Sequence, residues 1–100
     1  MIQGDTWPHK IVIPFSTDKL KAMQVVYVQA GTILYRKTLA DSVLSGNKVQ
    51  LTLSQRETLE LSPKKDLEIQ ARFLTNDNVA LNTEVFLVTV DPSYIREVLE

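Results

Sequence analysis

His9 is the single histidine of this 100-residue chain, and there is no cysteine. Those two facts narrow the chemistry open to it. A metal site would have to join His9 to scattered carboxylates such as Asp5 or Asp18, with no H-x-H or H-x-x-x-H spacing to set two imidazoles on one ion. A Ser-His-Asp relay can be drawn from His9 and any serine, but no nucleophile elbow holds such a serine in reach. Glu57 and Glu60 are the closest helical pair of carboxylates, on a segment too short to frame a glycosidase cleft. They read as one capping glutamate and one solvated one. Gly4, Gly31 and Gly46 are the only glycines, too few to build a phosphate-cradling loop. Without cysteine there is no thiolate nucleophile, disulfide staple or Cys-based zinc site. His9 therefore reads as a partly exposed residue of a strand edge. The chain reads as non-enzymatic, with no catalytic, metal-ligating or cofactor-binding residue and no cofactor.

Aromatic side chains are the remaining candidates, because they anchor partners and stack on sugars. Trp7 precedes Pro8 in an extended N-terminal arm. It reads first as a lid on an open end of the core, second as a partner contact, and third as a sugar platform. Tyr27 and Tyr35 fall on neighbouring strands and read as packing residues. Tyr94 belongs to the last ten residues, Asp91-Pro-Ser-Tyr-Ile-Arg-Glu-Val-Leu-Glu100. Asp91 can cap a helix there and Pro92 suits its first position, which predicts a short C-terminal helix. Tyr94 and Val98, and likewise Ile95 and Leu99, then share one side. A helix of about nine residues is marginal alone in water. Its stripe must dock, on its own domain or on a partner, so Trp7, Tyr94, Ile95, Val98 and Leu99 are the candidate partner contacts.

The elements that would position these residues are short strands. Lys10 to Phe15 reads as the first, placed at a sheet edge or bulged because Pro14 cannot donate to a ladder. Ser16-Thr-Asp18 is a turn, and Asp18 to Lys21 suits one helical turn. Met23 to Gln29 and Thr32 to Thr38 are strands joined by Ala30-Gly31, a loop so short that the pair must be antiparallel. Asp41 to Asn47 is turn-rich, and Lys48 to Leu53 is the next strand. Ser54 and Glu57 have capping-box spacing, so residues 54–61 predict a short helix that Pro63 stops. Leu59 and Leu61 can plug the end of a sandwich while the chain crosses between sheets. Leu67 to Phe73 alternates most cleanly, with Leu67, Ile69, Ala71 and Phe73 inward. Asn76-Asp-Asn78 turns the chain back into Val79 to Val90, a segment that can break near Asn82-Thr83. Val25, Tyr27, Leu51, Leu53, Ile69, Ala71, Phe73, Phe86 and Val88 are the expected core.

About seven short strands with turns every 8 to 12 residues, and no helical stretch between them, predict one all-β sandwich domain over residues 1–100, with a small barrel as the rival. One hundred residues can bury one real core. The N-terminal residues lack the basic and apolar regions of a signal peptide. The longest apolar runs, Val25–Val28 and Val85–Val88, are four residues against the roughly 20 of a membrane helix. Charges nearly cancel, 11 Lys and Arg against 12 Asp and Glu, with a pI near 5.8. That balance argues against nucleic acid as a partner. The chain reads as soluble, with no membrane partner.

The order of these segments resembles a known group. "NKVQLTLSQRETLEL", then "LEIQARFLT", a short turn and "ALNTEVFLVTVD", resembles small phage and prophage structural proteins of Firmicutes. In those chains a strand runs into a Thr/Ser-Gln-x-Glu-Thr-Leu corner, then an Ile-Gln-x-Arg strand and a closing Ala-Leu strand. "IQGDTWPHKIVIPF" and "VVYVQAGTILYRKT" fit the same layout, so the similarity spans nearly the whole chain. Asn76-Asp-Asn78 stands where the group has Asp-Gly, and Asn82 stands where it has a small residue. The resemblance implies an immunoglobulin-like sandwich, a tail- or baseplate-associated place in the virion, and contacts with other phage structural proteins or with further copies of itself. The group as a whole implies no active site. A carbohydrate-binding sandwich for cell-surface attachment is the alternative expectation.

Overall fold

The computed structural model describes all residues from Met1 to Glu100. The two-residue alternation of apolar side chains becomes two antiparallel sheets packed as a sandwich. One sheet holds β1 (Trp7–Val12), β5 (Lys48–Leu53) and β4 (Val43–Ser45), in the order β1-β5-β4. The other holds β3 (Thr32–Thr38), β2 (Leu20–Gln29) and β6 (Leu67–Thr75), and both β7 (Ala80–Asn82) and β8 (Phe86–Val88) pair with the far side of β6. The chain crosses between the sheets after β1, after β3 and after β5. These three crossings let the two layers, one of three strands and one of five, enclose a single core.

The β2–β3 hairpin closes through Ala30 at φ 50° and Gly31 at φ 78°. Positive φ at both loop positions matches the right-handed twist of the flanking strands. Below β5 the corner forms as its spacing predicts. Ser54 Oγ accepts from the Glu57 amide at 3.2 Å, Glu57 Oε1 accepts from the Ser54 amide at 2.9 Å, and α1 runs from Gln55 to Leu59. Thr58 is fully buried, and Leu61 plugs the base of the sandwich.

Fourteen apolar residues form the core, drawn from both sheets and from Ile13, Leu61 and Val90. Seven of the nine expected core residues (Val25, Tyr27, Leu51, Leu53, Ile69, Ala71 and Phe73) are buried. Val88 is half-buried and packs against the cluster. Phe86 does not belong to it. Opposite Ile69 it has the inward parity, yet 46% of it is exposed. It borders an opening beside the end of β1 rather than closed packing.

Other corrections concern boundaries. The first strand starts at Trp7 and ends at Val12, so Pro8 lies in an edge strand and Pro14 beyond it. The helical turn expected from Asp18 is a single 3-10 turn at Thr17–Lys19, and β2 already begins at Leu20. The turn-rich stretch hides β4. Val79 to Val90 is indeed two strands, broken at 83–85, which brings the count to eight. The C-terminal helix does not form: residues 92–100 hold no helix. Side chains of the body hold the backbone of this segment instead. Gln3 Oε1 accepts from the Ser93 amide at 3.3 Å, and Gln55 accepts from the Leu99 amide and donates to its carbonyl at 3.1 Å. The molecule is a slab of 47 × 30 × 16 Å.

Candidate functional site

Titratable side chains meet in two places. Along β1, His9 alternates to the core side and reaches β2 across the sandwich, where its Nε2 lies 2.6 Å from Tyr27 Oη. Nδ1 lies 3.3 Å from the Trp7 carbonyl. A carbonyl can only accept, so Nδ1 is assigned the proton, and Nε2 accepts from the phenol. The Trp7 ring stacks on the imidazole, centroids 4.4 Å apart and planes 16° apart. Burial lowers the His9 pKa from 6.5; the Trp7 carbonyl opposes that shift and the Lys37 charge adds to it. Burial, and after it the charges of Glu57 and Asp41, push the Tyr27 phenol far above its usual value.

The second cluster lies where β3 passes the corner. Tyr35 Oη donates to Glu60 Oε2 and lies 3.1 Å from the Glu57 carbonyl. Lys37 Nζ pairs with Glu57 at 3.2 Å. Burial first, then the bond and charge of Glu60, raise the Tyr35 pKa strongly. Both clusters hold a neutral phenol against a satisfied acceptor. Tyr27 is completely buried, and the two clusters fasten β2 and β3 to their neighbours. No three His, Asp or Glu side chains converge where an ion could sit.

Trp7, the first candidate contact, is half-buried over the core with one ring face taken by His9, which matches its reading as a lid. Tyr94, Ile95 and Leu99 are exposed and Val98 is half-buried. They share no helical stripe, because the segment carrying them is irregular. Its main chain is tied down, with Arg96 Nη1 also donating to Gln3 Oε1 at 2.7 Å, while the apolar side chains point outward.

A larger apolar feature was missed. Val12, Ile13, Pro14, Phe15, Phe73, Leu81 and Phe86 line an open slot of about 330 Å³ between the end of β1 and the β7–β8 edge. Its rim carries Glu84, and no cation lies within ion-pair distance of that carboxylate. Val85-Phe-Leu-Val88 was the signal in the sequence: an apolar run at a sheet edge with no gatekeeping charge inside it. No protein-family model, curated protein or solved structure matches this chain. No helix is long and apolar enough to cross a membrane.

Proposed function

We propose that the chain is a non-enzymatic structural module that works through protein–protein contacts, in the tail or baseplate region of a phage or prophage virion. In this reading it is made in the bacterial host cytoplasm and its partners are other virion proteins or further copies of itself. The observation that carries the contact part is the pairing of a locked polar interior with an open apolar edge. Every buried side-chain nitrogen and oxygen has a partner, while Val12, Leu81, Val85, Phe86 and Leu87 stand open around one slot and strand edge. Exposed apolar side chains gathered at an unpaired strand edge mark an interaction surface. The phage setting rests on the sequence resemblance alone. Lectin-type binding has less support, because the Trp7 face that could stack on a sugar is occupied by His9.

Particles purified from an induced host provide the test. Cross-linking and mass spectrometry should find this chain in the particle, joined to other virion proteins. Its absence from particles, together with binding of Trp7 to glycans seen by fluorescence, would reject the proposal in favour of the sugar-binding alternative.

A further inference from the structure

The alternation of backbone groups along β6 shows which part of the second sheet remains unpaired. Thr83 N–H donates to the Ala71 carbonyl at 2.8 Å, and the Ala71 amide donates to Thr83 Oγ1 at 3.0 Å. Ala71 therefore turns its backbone groups toward the β7–β8 side, and so do Ile69 and Leu67, at intervals of two. Ile69 faces Phe86 and Leu67 faces Val88. Phe86 and Val88 thus bond inward to β6, and Leu87 between them directs its N–H and C=O to the free edge. Farther along, that same edge is already filled. Met1 donates to the Thr89 carbonyl, Asp91 N–H to the Met1 carbonyl and Gln3 N–H to the Asp91 carbonyl, at 2.8 to 3.0 Å. The N-terminal segment covers the edge from Thr89 onward and leaves Val85 to Leu87 bare.

We propose that this bare stretch pairs with the same stretch of a second copy, antiparallel about a two-fold axis at Phe86. The proposal rests on the reading of the chain as an interaction module and names the partner at this edge. A two-fold contact must be self-complementary, and this one is. It sets Val85 opposite Leu87 twice, so the outward backbone groups of each satisfy those of the other. The two Phe86 rings become a cross-strand aromatic pair on the slot side, a favoured pairing in antiparallel sheets. Each ring then covers the mouth of the other copy's slot beside Val12 and Leu81. The exposed fractions are 65% for Val12, 40% for Leu81, 50% for Val85, 46% for Phe86 and 64% for Leu87. Val12, Leu81 and Phe86 lie on the slot side and Val85 and Leu87 on the outer face, so pairing at this edge draws on both faces, roughly 400 Å² of apolar surface in all. Counted on both copies and with the strand backbone added, the contact approaches the roughly 1,000 Å² of a specific interface. Self-association at this edge is therefore weak and concentration-dependent.

Sedimentation equilibrium of the full chain over a range of concentrations tests it. The weight-average mass should rise from 11.3 kDa toward twice that value at high concentration. Leu87→Lys should hold the chain at the monomer mass. The new lysine would face Glu68 across the β6–β8 pair, so the fold is kept, as circular dichroism should verify. Leu99→Lys, in the exposed tail, should associate as the unchanged chain does. A chain that stays monomeric at every concentration overturns the proposal, as does a dimer that survives Leu87→Lys or is lost with Leu99→Lys. None of these results touches the wider reading, which fails on a different one: absence of the chain from the particle.

Discussion

Protonating His9 would remove the acceptor that the buried Tyr27 hydroxyl uses. Because burial sets the folded pKa below 6.5, the unfolded chain takes up the proton first. The His9 contribution to stability is present in full above the unfolded pKa and is lost as pH falls through the folded one. Unfolding free energy should therefore decline from about pH 7 to about pH 5, and His9→Gln, which keeps an acceptor but cannot titrate there, should flatten that slope. Denaturant titrations at each pH check this; an unchanged slope would show that other groups set it. Thr58 is the other residue whose polarity is structural. Its hydroxyl donates to the Asp5 carbonyl at 2.8 Å and accepts from the Gly4 amide at 2.9 Å, pinning the N-terminal arm to the corner. Thr58→Val keeps the shape and strands both partners, so it should cost about 1–3 kcal/mol by chemical denaturation. Thr58 stands where a hydrophobic staple would put an apolar residue, so local sequence gives no reason for its hydroxyl. The long-range partner that explains it lies more than fifty residues away, beyond the reach of any local pattern.

At the scale of elements, periodicity was informative wherever one face of a strand is buried and the other wet. β3, β5 and the start of β6 fall where alternation puts them, and the Ser54–Glu57 spacing gives the corner. β4 escaped because three residues, Val43 to Ser45, are too few to alternate and are flanked by turn formers. The tail helix failed for a different reason. Its apolar spacing is helical, but a helix this short is marginal alone, and Gln55 takes the Leu99 amide that a helix would bond to Ile95. The candidate site was legible only in part: Trp7 lies where a lid should, whereas the open edge depends on which strand lies opposite Phe86. Parity alone made Phe73 and Phe86 equivalent. Phe73→Ala should cost about 3–5 kcal/mol, since the ring is buried, and Phe86→Ala under about 1 kcal/mol. Denaturation of dilute samples of the two variants measures the difference. Equal losses would mean that the slot is closed in solution.

Across the whole molecule, the fold gives every buried polar side-chain atom a partner and leaves the stretch from Val85 to Leu87 bare at a sheet edge. The two crossed ends, Met1 to Gln3 on Thr89 to Asp91, close the base of the sandwich. The β3 edge carries Arg36 and Lys37, and the β1 edge carries Pro8 and Lys10, each a guard against strand addition. Val85 to Leu87 sets exposed apolar side chains on an edge stretch with no charge and no proline. That open edge is the basis for reading the chain as a contact module. Amide hydrogen exchange on the dilute chain, resolved by residue, tests it most directly. Phe86 and Val88 should be protected by β6, with Leu87 between them exchanging at nearly the rate of an unstructured amide. A Leu87 amide as slow as its two neighbours would mean that something in the chain itself covers the edge, and the contact surface would have to be sought elsewhere.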